Sequence, residues 1–368
     1  RDSLRGLAVL FFVSALGCAL AWNWLSFVTF RFIAGLAIGG SSVLGPIYIA
    51  EVAPAQWRGR LVGFFQLSIV FGILVAYFSN YAIGTLSLGG LEWRWKLGVS
   101  ALPAVILFLT LFSIPRSPRW LAQKNRISEA RQVLTMIGEE DVETELRDIV
   151  KSIGSEPSNR EHLFSKKYRF PVFLAITVAV FNQLAGINAI LYYLNDIFWR
   201  AGFNKVSGDL QAVGVGATNF VFTIAAMSVI DRVGRKTLLL IGSVGTCVCL
   251  ALVSVIFVSG THQQLLILPL VGYIASFAFS QGAVILVYIS EVFPNRVRAK
   301  GQSLGSFTHW MTTALISGIF PMLAAHSAAI PFAFFSAMMA LQFFIVLFTF
   351  PETKGITLED MQRRLHIE

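Results

Sequence analysis

Charged side chains are scarce in this sequence: Asp, Glu, Lys and Arg make up 13% of 368 residues, against 55% hydrophobic. Soluble domains carry about a quarter charged residues, so a pair of water-soluble domains is excluded. Cysteine is scarcer still. Cys18, Cys247 and Cys249 all lie in apolar runs, where thiols behave as small hydrophobes, and they form neither a disulfide framework nor a metal-ligand spacing. The five His are scattered and no nucleophile converges with a base, a pattern that fits no enzyme, metal or cofactor. An initiator Met and a signal-peptide pattern are both missing, so the natural N-terminus is expected upstream.

Long apolar runs are what the sequence has in abundance. A spanning helix needs about 20 apolar residues, because hydrocarbon offers no water to backbone polar groups. Ten runs qualify, near 6–22, 25–50, 59–82, 93–113, 170–197, 208–230, 237–259, 264–289, 301–324 and 327–350. The net charge of +9 then becomes a topology signal. All 29 Lys and Arg except Arg31, Arg94, Lys96, Arg200 and Lys205 fall in segments on one side of alternating spans. Both ends of the chain are therefore expected in the cytoplasm, and nucleic acid is not an expected partner.

One polar stretch, 115–169, separates four spans from six, with helical periodicity at Ile127, Ala130, Val133, Leu134 and Ile137. The two parts repeat each other. Glu51-Val-Ala-Pro54 precedes Arg58-Gly59 at the spacing with which Glu291-Val-Phe-Pro294 precedes Arg298-Ala299. Two spans later come Pro115-Arg-Ser-Pro-Arg119 and Pro351-Glu-Thr-Lys-Gly355. Parallel repeats of this kind are a transporter plan. The basic turn Asp231-Arg-Val-Gly-Arg235-Lys236 has its counterpart in Arg1-Asp-Ser-Leu-Arg5-Gly6. That register predicts twelve spans, ten of them here and two preceding residue 1.

Glu51, Arg58, Asp231, Arg235, Glu291 and Arg298 are candidates for cytoplasmic ion pairs that bias two conformations; surface charges that only set topology are the plainer reading. Polar groups deep in spans mark either a pathway or interhelical contacts. Asn182-Gln183-Leu-Ala-Gly186-Ile-Asn188, followed by Tyr192-Tyr193, packs three amides into seven residues around a glycine. These offer donors and acceptors without charge, which suits a neutral polyhydroxyl solute. Gln66 and Asn219 lie mid-span elsewhere, and Trp310 offers an apolar platform. Arg31, seven residues into its span, needs a carboxylate or water as partner. Gly35, Gly39, Gly40 and Gly45 have the spacing of close helix packing.

Taken in order, these motifs resemble the sugar porters of the major facilitator superfamily. The resemblance covers essentially the whole chain. It rests on the Asp231-to-Lys236 turn, the Glu51-to-Gly59 and Glu291-to-Arg298 segments, Pro115-to-Arg119, Gln183-to-Asn188 and Pro351-to-Gly355. It implies an all-α polytopic membrane protein of two pseudo-symmetric helical bundles. The N-terminal bundle would take residues 1–114, a cytoplasmic helical linker 115–169, the C-terminal bundle 170–351 and a cytoplasmic tail 352–368. It further implies alternating access to one monosaccharide site drawn from Gln66, Asn182, Gln183, Asn188, Tyr192, Asn219 and Trp310. A latch including Arg119, and Arg31 as a candidate coupling residue, complete the set. The chain departs from the family pattern at Asn182 (usually Gln), Ala185 (usually Ser), Arg116 (usually Glu) and Leu286 (usually Trp).

The expected protein is thus a functional monomer in a plasma or bacterial inner membrane. It would act as proton symporter or facilitator, with the sugar, protons and lipid as its partners. The alternatives are transport of another small solute, such as a polyol or organic acid, and a transporter-like sugar sensor.

Overall fold

The computed structural model describes residues 1–53, 58–139, 141–154, 162–203, 205–354, 361 and 363–365. Among them the chain is helical without a strand, the form a spanning backbone must take when it closes no barrel. Nine stretches are long and apolar enough to cross a membrane among the described residues. The chain divides into two compact units, Arg1–Asn159 and Arg160–Glu368.

In the first unit, α1 (Asp2–Ala19) packs against α2 (Trp24–Val52), α4 (Glu92–Gly98) and α5 (Ala101–Ser113), and α2 packs against α3 (Arg58–Thr85). The entry to α2 follows from its sequence. Asn23 Oδ1 accepts from the Ser26 amide at 2.7 Å while the Asn23 amide donates to Ser26 Oγ at 3.3 Å, a reciprocal cap that satisfies two free helix-end groups. Of the four glycines expected to bring helices together, two do so. A Cβ on Gly40 would lie 2.7 Å from Leu7, and one on Gly45 would lie 2.6 Å from Phe65. Gly35 and Gly39 have no neighbour within 4 Å of that position.

The polar stretch folds as α6 (Pro118–Gln123), α7 (Ile127–Met136) and α8 (Val142–Gly154). Ser117 caps α6 by accepting from the Trp120 amide at 3.2 Å, with Pro118 at the first helical position. Leu121, Ala130, Leu134, Leu146 and Ile149 form its buried centre, and Ile127, Val133 and Ile137 pack onto it. The amphipathic period thus buries one stripe of each short helix. These helices fall within the first compact unit.

The second unit holds α9 (Arg169–Leu184), α10 (Ile187–Tyr192), α11 (Leu194–Arg200), α12 (Lys205–Val233), α13 (Arg235–Ser259), α14 (Ile267–Phe279), α15 (Gln281–Val292), α16 (Asn295–His326) and α17 (Ala329–Thr349). Two spans are broken, between α9 and α10 and between α14 and α15. The tenth expected span, 301–324, lies in α16. At 32 residues that helix is long enough, but Thr308, His309, Thr312 and Thr313 make it more polar than the nine.

Candidate functional site

The break after α9 is dictated by Gly186. Its φ is +81°, and a Cβ there would lie 2.3 Å from the Phe335 ring, so both backbone and space demand glycine. Interrupting a helix frees carbonyls that need partners in a membrane. Tyr273 Oη donates to the Ala185 carbonyl at 2.8 Å. The second break lies at Ser280 (φ −124°, ψ −88°), whose own hydroxyl donates to the Ser276 carbonyl at 2.6 Å. Asn182 Nδ2 donates to the Gln281 carbonyl at 3.3 Å. The first break and the end of α9 are thereby tied to α14 and to α15.

From that carbonyl a directional chain runs through the amide cluster. A backbone carbonyl can only accept, so Asn182 must turn its Nδ2 toward Gln281 and its Oδ1 toward Gln183. Gln183 Nε2 donates to that Oδ1 at 2.9 Å. Its Oε1 accepts from Asn188 Nδ2 at 2.9 Å, and the same Nδ2 lies 3.4 Å from Thr313 Oγ1. Thr313 Oγ1 in turn donates to the His309 carbonyl at 2.8 Å. Asn182 and Gln183 are 3% and 1% exposed, whereas Asn188 is half-buried. Trp310 is 39% exposed and meets the His309 ring edge-to-face at 5.4 Å.

Asn219 is buried on α12, where its carbonyl accepts from Thr223 Oγ1 at 2.7 Å. Tyr192 is 60% exposed at the end of α10. Gln66 is half-buried on α3 of the first unit. Arg31 is exposed on α2, with its guanidinium 5.7 Å over the Phe27 ring. Four contributors escaped sequence reasoning: His309, Thr313, Tyr273 and Gln281. Only His309 had a signal, standing beside Trp310; the rest depend on pairings remote in sequence.

The charged motifs of the second unit converge. Arg235 is 8% exposed, and its Nη2 meets Glu291 Oε1 at 2.9 Å. Glu291 Oε2 accepts from Thr353 Oγ1 at 2.5 Å. Glu291 therefore pairs across to the 231–236 turn rather than with Arg298 of its own segment. Glu352 accepts from the backbone amides of Arg235 and Lys236 at 2.8 and 3.1 Å, a carboxylate seated on the N-terminus of α13. Gly234, at φ +99°, lets it in: a Cβ there would lie 2.6 Å from Glu352. Arg298 is half-buried, and burial lowers its guanidinium pKa below the ordinary value. The Arg58 and Asp231 side chains lie outside the described set.

In the first unit the position matching Glu352 is Arg116, and the chemistry inverts. Arg116 Nη2 meets Asp2 Oδ2 at 3.0 Å, and Tyr48 Oη donates to the Pro115 carbonyl at 2.7 Å. Glu51 joins Arg1, Asp2, Tyr48 and Arg116 around a cleft of about 320 Å³. Arg119 is exposed on α6.

Residues 1–365 match the family described as sugar (and other) transporter. The chain belongs to this transporter family. This transporter is 36% identical over 371 residues to the arabinose-proton symporter of Bacillus subtilis, covering 99% of this chain and 80% of that one. It is 36% identical over 330 residues to the D-xylose transporter of Levilactobacillus brevis, covering 88% of this chain and 72% of that one. The inward open structure of the xylose transporter XylE from E. coli superposes with a TM-score of 0.86 at 30% identity, covering 99% of this chain and 82% of that one. This transporter is accordingly a multi-pass membrane protein of the major facilitator fold, and not an enzyme.

Proposed function

We propose that the transporter carries a pentose or hexose together with a proton by alternating access. One observation carries the reading: the broken span α9–α10 bears a chain of three amides, joined to α16 and free of carboxylates and of fixed cations. Such a chain matches the alternating donors and acceptors of a polyol ring and offers no counter-charge to an ionic solute. The relatives named as D-xylose transporter and arabinose-proton symporter support the same substrate class. The sugar site is assigned to Gln66, Asn182, Gln183, Asn188, Tyr192, Asn219 and Trp310. Glu51, Arg58, Arg119, Asp231, Arg235, Glu291 and Arg298 serve as the cytoplasmic latch, and Arg31 as the residue that responds to a coupling carboxylate. Residues 115–169 act as a cytoplasmic linker between the bundles 1–114 and 170–351, with 352–368 as a tail.

The test is uptake of labelled D-xylose, L-arabinose and D-glucose by the full-length protein in proteoliposomes, with and without an inward proton gradient. Accumulation of at least one sugar that collapses with a protonophore is the expected result. Failure to move any of them under either gradient would sink the reading. Within it, Gln183→Ala removes the nearer of the two acceptors of Asn188 Nδ2 and is expected to weaken sugar binding by about 1–3 kcal/mol. An unchanged Kd would remove Gln183 from the site.

A further inference from the structure

Pro321 lies inside α16, in the half that follows Thr313. A proline has no N–H, so the carbonyl four residues before it, that of Ser317, loses its usual donor within the helix. No water replaces that donor in a membrane, and a neighbouring side chain has to. Tyr193 does so. Its Oη donates to the Ser317 carbonyl at 3.3 Å, and its ring stacks on Phe320 with centroids 5.3 Å apart and 14° between the planes. The stacked ring fixes where the hydroxyl points.

This bond is the middle one of three along a single face of α16. Thr313, Ser317, Phe320 and Ala324 are spaced four, three and four residues apart, which stacks them on one side of a helix. The chain from Asn188 to Arg200 lies on that side. Asn188 Nδ2 is 3.4 Å from Thr313 Oγ1, Tyr193 holds the Ser317 carbonyl, and Arg200 Nη1 donates to the Ala324 carbonyl at 3.0 Å. Between the first two contacts runs α10, a helix of only six residues. So short a helix has little stability of its own, and what grips its ends decides where it sits. One end is gripped through Tyr273 at the Ala185 carbonyl and the other through Tyr193.

We infer that Tyr193 and Pro321 act together as positioning residues for the sugar site: Pro321 opens the Ser317 carbonyl, Tyr193 occupies it, and α10 is thereby seated on α16 with Asn188 at Thr313. This inference rests on the sugar-transport reading above. A proline that only bent α16 would have no need of the hydroxyl. A tyrosine that only filled space beside Phe320 would have no need of the proline.

The experiment is a set of full-length variants read by D-xylose and L-arabinose affinity and, separately, by thermal unfolding without sugar. Tyr193→Phe keeps the ring and removes the donor. It is expected to lower Tm and to weaken binding about tenfold, the size of one lost hydrogen bond. Pro321→Ala returns an N–H to the Ser317 carbonyl, so Tyr193→Phe should lower Tm clearly less in that background than in wild type. Affinity should not follow: the double variant keeps the tenfold defect, since a bond restored inside α16 does nothing to seat α10. The inference is overturned if Tyr193→Phe binds as tightly as wild type, if its Tm loss is equal in both backgrounds, or if Pro321→Ala restores the affinity of Tyr193→Phe. Should the wild-type protein itself bind no monosaccharide, the transport reading fails. The sugar-free unfolding cycle then decides by itself whether the Tyr193 hydroxyl serves the carbonyl that Pro321 opens.

Discussion

Glu291→Ala is expected to lower the stability of the second unit by about 1.5–3 kcal/mol, because the buried Arg235 guanidinium loses the charge-assisted hydrogen bond it makes to Glu291 Oε1 at 2.9 Å while keeping its bond to the Ile230 carbonyl. Arg235 is 8% exposed, whereas the Glu291 side chain is 27% exposed. The two partners are therefore not equivalent. Arg235→Ala leaves a carboxylate that water reaches and that still accepts from Thr353 Oγ1, so its cost is expected to be clearly smaller. Residues in direct contact do not add, and the double variant should fall short of the sum of the singles. Thermal unfolding of the purified protein and its variants measures all three. Equal, small shifts in both singles would contradict a desolvated pair, and full additivity would place the two side chains out of contact.

Gly186→Ala is expected to be damaging in a different way. A φ of +81° costs an L-residue about 1 kcal/mol, and the new methyl would also fall 2.3 Å from the Phe335 ring. Overpacking a closed site of this kind adds about 1–3 kcal/mol, for a total of about 2–4. The second part is relievable and the first is not. Phe335→Leu in the Gly186→Ala background should therefore recover part of the lost Tm, while Phe335→Leu alone should lower it. If the double variant is no better than Gly186→Ala, the ring is not the obstacle. A wild-type Tm for Gly186→Ala would mean that the span is continuous there.

The membrane class, the repeat and the break at Gly186 were legible because each has a local signature: run length, motif spacing, and a glycine amid amides. The pairing of Glu291 was not, since its partner Arg235 lies 56 residues away and a short turn held a nearer candidate in Arg298. The packing role of Glu352 hid inside a motif whose members could be named but not oriented. The break at Ser280 has no glycine or proline at its centre to announce it. Asn182 of another helix meets the residue after it, a pairing that spacing along the chain does not reveal. His309 was passed over because a lone histidine in a span looks like any buried one.

The two crossed bonds between the broken spans, Tyr273 to Ala185 and Asn182 to Gln281, have a mechanical meaning. A lone break is a hinge with its own freedom. Here the carbonyl exposed at Gly186 is held by Tyr273 of α14, while Asn182, a turn earlier, reaches the first residue of α15. The span is thus braced from its neighbours where its own helix is interrupted, and changing the angle at Gly186 costs the bond to α14.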